Sequence, residues 1–246
     1  MEMESCCLTA FEWNGTPEGR IDKLEGRDVY ITGHNPGVAI LFIHDLLGWT
    51  FPNARLLADH YAREADATVY LPDFFNGWVV DFEPALAGRF HDIDLEGFSR
   101  NNARNVREPE IFNFARALRQ RHDRIAAIGF CYGGWAVFRL GAKEHNPPLV
   151  DCITAGHPTW LTTEDMDDVT VPVQILAPEI DPVFTAELKS YCFETVTRKG
   201  VPFEYHHFPG VEHSCLVRGD PGKSGEREAM ARAKSAAVSW MNMFLH

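Results

Sequence analysis

Ile125-Ala126-Ala127-Ile128-Gly129-Phe130-Cys131-Tyr132-Gly133-Gly134 is an uncharged apolar run that stops at a cysteine set among glycines. Its shortness and its Ile and Ala content suit a strand buried on both faces of a parallel sheet. The following residues, Trp135 to Lys143, have helical apolar spacing. The stretch therefore predicts a strand that turns sharply into a helix through G-x-C-x-G, with Cys131 on the turn. Gly129 and Gly133 suit this turn because they carry no Cβ, so strand and helix backbones can approach closely. Free N–H groups at the helix start favour a thiolate and a developing oxyanion. The same residues also fit an inert buried cysteine, so its partners must decide.

Working outward, Val38–Ile43 is the first continuous apolar run and predicts a central strand. It ends in His44-Asp45-Leu46-Leu47-Gly48-Trp49, a loop at the carboxyl edge where ligands gather in open α/β sheets. Asn53 to Ala65 has helical spacing with Asn53 as N-cap. Ala67–Pro72, Val150–Ala155, Val171–Ala177 and Phe203–Phe208 read as further strands, and Arg27–Thr32 as an added edge strand. Helices are predicted over Glu108–Arg121, Thr185–Thr197 and Glu226–Leu245. Residues 73–107 break the periodicity and carry Phe74, Phe75, Trp78, Phe82, Phe90 and Phe98. Such a segment is either a lid or pocket wall, or a surface excursion that packs back on the body. Strand and helix alternate from Val38 onward, which predicts one α/β domain over 1–246 with a mainly parallel sheet covered on both faces.

Composition narrows the partners. Lys+Arg 23 against Asp+Glu 35 leaves a net charge of -12, which argues against nucleic acid and anionic membrane surfaces. No apolar run is long enough to span a bilayer. The six cysteines form no C-x-x-C pair, and the first residues are acidic, so the expectation is a reduced, cytoplasmic protein. No metal-ligand spacing is recognised. A cluster of His206, His207, His213 and Cys215 matches no zinc pattern.

A thiol that attacks an acyl group needs a base, and the base needs an orienting acid. Asp181 lies just past the Val171–Ala177 strand and His213 just past the Phe203–Phe208 strand, in the order nucleophile, acid, histidine. Glu179 competes for the acid's role and Asp181 can alternatively cap a helix. His206 and His207 fall within the strand. Gly129-Phe130-Cys131-Tyr132-Gly133-Gly134 with Asp181 and His213 resembles the dienelactone hydrolase (carboxymethylenebutenolidase) family of the α/β-hydrolase superfamily. His44–Gly48, Leu71–Phe75, His213–Asp220, Cys6-Cys7 and Asn14–Pro17 resemble its fungal branch.

The resemblance implies an α/β-hydrolase fold and a Cys131, Asp181, His213 triad, with an oxyanion hole from the backbone N–H groups of Leu46 and Tyr132. It places Asp45 where bacterial members carry a thiol-holding glutamate one methylene longer. It also implies arginines that bind a substrate carboxylate: Arg218 is near the expected place, and Arg89, Arg104 and Arg107 are further candidates. Trp49, Phe51, Phe75, Trp78, Trp135, Trp160 and Phe184 fall near the carboxyl edge, either as pocket lining for a larger aromatic ligand or as core. The expected activity is hydrolysis of an ester or enol-lactone through a cysteinyl acyl-enzyme, without cofactor or metal, in a monomer or homodimer. Two alternatives stay open: a cyclase, isomerase or C–C lyase using the same pocket, and a non-catalytic binder that has kept the fold.

Overall fold

Val38–Ile43 is buried along its whole length. Its side chains divide between two cores with the period of a strand, Ala39, Leu41 and Ile43 to one and Val38, Ile40 and Phe42 to the other. The elbow strand does the same, with Ile125 and Ala127 against Ala126, Ile128 and Phe130. A strand this apolar on both sides must be sandwiched. The computed structural model, which describes residues 3–78 and 80–246, places both runs at the centre of an eight-stranded sheet.

The strands are β1 (Arg20–Leu24), β2 (Arg27–Thr32), β3 (Val38–Ile43), β4 (Thr68–Pro72), β5 (Arg124–Phe130), β6 (Cys152–Gly156), β7 (Val173–Ile180) and β8 (Phe203–Glu212). Their order is β1-β2-β4-β3-β5-β6-β7-β8. β1, β2 and β4 pair antiparallel, and every pair from β4 through β3 to β8 is parallel. The helices are α1 (Pro52–Glu64), α2 (Phe82–Leu86), α3 (Leu95–Asn101), α4 (Arg104–Arg119), α5 (Gly133–Leu140), α6 (Thr163–Asp168), α7 (Ala186–Arg198), α8 (Cys215–Arg218) and α9 (Glu226–Leu245). Leu57 and Tyr61 of α1 and Trp240 and Met241 of α9 fill one core. Phe114 of α4, Val137 of α5 and Val196 of α7 fill the other. This is the mainly parallel α/β sheet expected from the alternation. Among the described residues, no helix is long and apolar enough to cross a membrane.

Several local expectations change. Arg27–Thr32 is not an edge: β1, rich in charge and missed in the sequence, pairs outside it. Asn53 is not the cap of α1, which begins at Pro52 after Phe51. Instead the buried Asn53 amide accepts from Trp13 N–H at 2.8 Å and donates to the carbonyls of Phe11 and Val217 at 2.8 and 3.1 Å. It thereby pins the amino-terminal segment to the body. α4 begins at Arg104 and carries Pro109 inside it, because Arg104 is anchored by two hydrogen bonds to Asp165 at 2.6 and 2.8 Å. That anchorage offsets the backbone bond that a proline forfeits. Residues 73–107 contain α2, α3 and a 3-10 turn at Phe90–Asp92. Phe74, Phe75 and Phe98 are fully buried, so much of that segment's aromatic content is packing.

Candidate active site

The elbow is built by close backbone contact. A Cβ on Gly129 would sit 2.2 Å from the Gly133 carbonyl oxygen, and one on Gly133 would sit 2.2 Å from the Ile43 carbonyl oxygen. Neither backbone atom can yield, so Gly129→Ala and Gly133→Ala should each cost on the order of 3 kcal/mol or prevent folding. Chemical denaturation measures this directly. Cys131 takes a left-handed φ of 50°, a conformation a residue with a Cβ holds only when its surroundings impose it. Here Cys131 N–H donates to Gly156 at 3.0 Å, and its carbonyl accepts from Gly134 and Thr159 at 3.0 and 2.8 Å. The thiol is thus presented at the carboxyl edge, at the start of α5.

β7 and β8 bring the other groups. Ile180 pairs with Glu212, and His213 N–H donates to the Ile180 carbonyl at 2.8 Å. Asp181 and His213 are therefore the first residues past two paired strand ends. Asp181 Oδ1 lies 2.9 Å from His213 Nδ1, both side chains essentially without solvent exposure. The N–H is not aimed along that line, so the contact is an ion-pair contact more than a linear hydrogen bond. Asp181 Oδ1 also accepts from the N–H groups of Val183 and Phe184 at 3.0 and 2.9 Å, which fixes the carboxylate. Glu179 points elsewhere and accepts from Gly210 N–H at 2.7 Å. His206 bonds Glu204 at 2.9 Å, and His207 is exposed.

On the other side of His213 stands a residue the sequence reading did not assign. Cys7, fully buried on the amino-terminal 3-10 turn Ser5–Leu8, lies 3.6 Å from His213 Nε2. The Cys131 and Cys7 sulfurs both reach Thr159 Oγ1, at 3.3 and 3.8 Å. Two thiols therefore share one histidine. His157, also unassigned, is buried with both ring nitrogens unpartnered and packs edge-on against His213 at 4.7 Å between centroids. Burial, with His213 and Arg218 nearby, pushes its pKa well down, so it sits there as a neutral ring.

Burial, reinforced by the neighbouring Cys7, pushes the Cys131 thiol well above the ordinary thiol range. A hydrogen bond to Cys131 favours the Cys7 thiolate, but Cys6 and burial oppose it, and the Cys7 pKa is pushed up to about 12. For His213 burial works against the charged form, yet Asp181 and Cys131 outweigh it, and the pKa rises to about 9. The charge of Cys131 contributes to that rise only when the sulfur is a thiolate. The thiols therefore rest neutral, and beside a neutral Cys131 the rise at His213 is smaller.

Arg218 Nε lies 2.8 Å from Asp45 Oδ2, the guanidinium fully buried. The contact is short but poorly aligned, and Nη1 and Nη2 have no hydrogen-bond acceptor. Asp45 Oδ1 is taken by the Leu47 N–H at 2.9 Å, so this carboxylate is engaged with Arg218 and its own turn. The other arginines have partners: Arg104 with Asp165, Arg107 with Glu110 and Asn102, Arg89 with Glu83 and Asp92. A cleft lined by Thr9, Phe11, His213, Ser214 and Arg218 runs along this side. A larger depression beside Phe208 and the start of α9 touches none of these thiols.

Leu46 lies in the turn after β3 and Tyr132 directly after Cys131; Ile43 of β3 is in register with Gly129 of β5, so the two loops are neighbours. Rings step away from the elbow: Trp135 and Trp160 lie 5.7 and 5.4 Å from Tyr132, Phe75 is 4.9 Å from it, and Trp78 reaches Phe98 at 4.8 Å. Phe184 is buried in the same core. Trp49 belongs to the other core and lies beneath the Arg55 guanidinium at 4.8 Å. Phe51 is buried against Phe82 at 5.1 Å.

Known proteins resemble this chain along most of its length. The chain is 28% identical to the hydrolase tropI of Talaromyces stipitatus and covers 98% of this chain and 96% of that one. It is 26% identical to the human carboxymethylenebutenolidase homolog, covering 92% and 91%. The dienelactone hydrolase of Anabaena variabilis shares the fold at a TM-score of 0.58 and 13% identity, over 93% of this chain and 97% of that one. With the sequence profile of the dienelactone hydrolase family matching residues 28–245, the chain belongs to that family.

Proposed function

We propose that this protein hydrolyses a carboxylate-bearing ester or enol-lactone through an acyl-enzyme on Cys131. The observation that carries this reading is the buried line from Asp181 through His213 to the thiols at the strained elbow. Substrate enters along the Arg218 side and displaces Cys7 from Nε2. Its carboxylate takes the open Nη1 and Nη2 of Arg218, the one buried guanidinium here whose terminal nitrogens lack acceptors among the arginines named above. Asp45, left at Nε, keeps that guanidinium aimed.

His213 accepts the Cys131 proton as sulfur attacks the carbonyl, and Asp181 stabilises the imidazolium that forms. The Tyr132 and Leu46 N–H groups face the developing oxyanion, where preorganised donors act most strongly. His213 then protonates the leaving oxygen. In the second half it deprotonates water, which attacks the thioester, and the sulfur regains its proton as acid leaves. The human relative's name, a carboxymethylenebutenolidase homolog, supports an enol-lactone. The rings from Tyr132 to Trp78 support a larger, more aromatic acyl or leaving group.

Turnover in oxygen-labelled water tests the reading. One solvent oxygen should appear in the product carboxylate. Product formed without that label overturns hydrolysis in favour of cyclisation, isomerisation or C–C cleavage in the same pocket.

A further inference from the structure

The amino-terminal turn does more than cover the site. Cys6 Sγ, Cys7 Sγ and His213 Nε2 all lie within 4.8 Å of one another, and the Cys131 thiol adjoins both Cys7 and His213. We propose that Cys6, Cys7 and His213 form a three-ligand zinc site beside Cys131 that, when loaded, holds the hydrolase shut.

The geometry suits the ion. Zn–S bonds of about 2.3 Å and a Zn–N bond of about 2.0–2.1 Å at tetrahedral angles put sulfur about 3.5 Å from nitrogen. Cys7 Sγ and His213 Nε2 are already 3.6 Å apart. Two thiols and one imidazole leave a fourth position open, and their softness selects zinc over magnesium or calcium. Asp181 on Nδ1 completes a carboxylate, histidine, metal line, the outer contact that orients a metal-bound imidazole. Binding is a ligand exchange without redox. Each thiol releases its proton to solvent as a Zn–S bond forms, and neutral His213 donates its Nε2 lone pair. The resulting centre, a dication with two thiolates and a neutral imidazole, carries no net charge.

The consequence is a lock. The ion occupies the base, His213, and ties the Ser5–Leu8 turn down beside the nucleophile. Cys6 decides between this site and adventitious capture of a metal by a catalytic thiol and histidine, because Cys6 is half-buried and has no part in the acyl chemistry.

The test uses the full chain, stripped by chelator and kept reduced with a phosphine. Zn2+ should bind one to one in competition with a chromophoric chelator, and Co2+ should give sulfur-to-metal charge-transfer bands of a multi-thiolate site. Esterase activity should fall in step with occupancy and return with EDTA. Cys6→Ser should keep its turnover yet need on the order of a hundredfold more Zn2+, at least the loss that removing even an outer-shell partner can bring. Equal Zn2+ affinity in Cys6→Ser and the parent, or no stoichiometric binding at micromolar metal, overturns the proposal. The Co2+ spectrum reads the site even if no ester proves to be a substrate, so failure here is distinguishable from failure of the hydrolytic reading.

Discussion

Cys131→Ala is expected to lower kcat/KM on a responsive ester by on the order of 10⁴-fold or more, the scale on which loss of a nucleophile acts in other triad enzymes. The fold should survive. Elbow geometry comes from Gly129, Gly133 and backbone hydrogen bonds, not from the sulfur, so the thermal midpoint should move little. Steady-state kinetics beside a melting curve checks both halves. The measurement also separates the two thiols around His213. Cys7 lies 3.6 Å from Nε2, but it rides on a 3-10 turn with no oxyanion-stabilising helix start behind it. If Cys131→Ala retained substantial turnover that alkylation of Cys7 then removed, the nucleophile would be Cys7.

Asp181→Asn should lower kcat by about 10³–10⁴-fold, because the amide no longer stabilises the imidazolium and can favour the wrong tautomer. A pH profile distinguishes this from simple misfolding. His213 has a pKa raised from 6.5 to about 9 in the folded chain, where burial alone would lower it and Asp181 and Cys131 reverse the direction. A raised pKa means the folded state holds its proton more tightly than the unfolded one. The stability it contributes is full below pH 6.5 and is lost as pH rises through about 9. In Asp181→Asn that fall across the window should shrink, and the group titrating in kcat/KM should move downward. NMR titration of the His213 ring gives the same answer site by site. An unchanged ring pKa in the variant would remove Asp181 from its role.

How much of this was open to a reader of the chain depends on the range of each interaction. The alternation of Val38–Ile43 and Ile125–Phe130 between two cores follows from backbone geometry and apolar content, so the sandwiched parallel sheet was legible. The elbow was legible too, since glycine is required where a Cβ would meet backbone at 2.2 Å. β1 was not, because its five residues carry exposed charge and become a strand only by pairing with β2. The start of α4 was misread because proline is a local stop signal, overruled here by the Arg104 and Asp165 pair sixty-one positions apart.

The candidate site divides the same way. Cys131, Asp181 and His213 each follow a recognisable strand, and the parallel sheet delivers all three to one carboxyl edge. Sequence determined the scaffold, the strained turn and the residue types delivered to its edge, all consequences of local conformational preference and burial. Tertiary structure decided what faces the thiol. Asp45 is drawn to Arg218 by charge across 173 positions, and the Cys7 sulfur reaches His213 across 206. No period or local signal encodes contacts at that separation. They arise only when packing has removed water, so that a buried guanidinium must find a carboxylate and a buried thiol an imidazole.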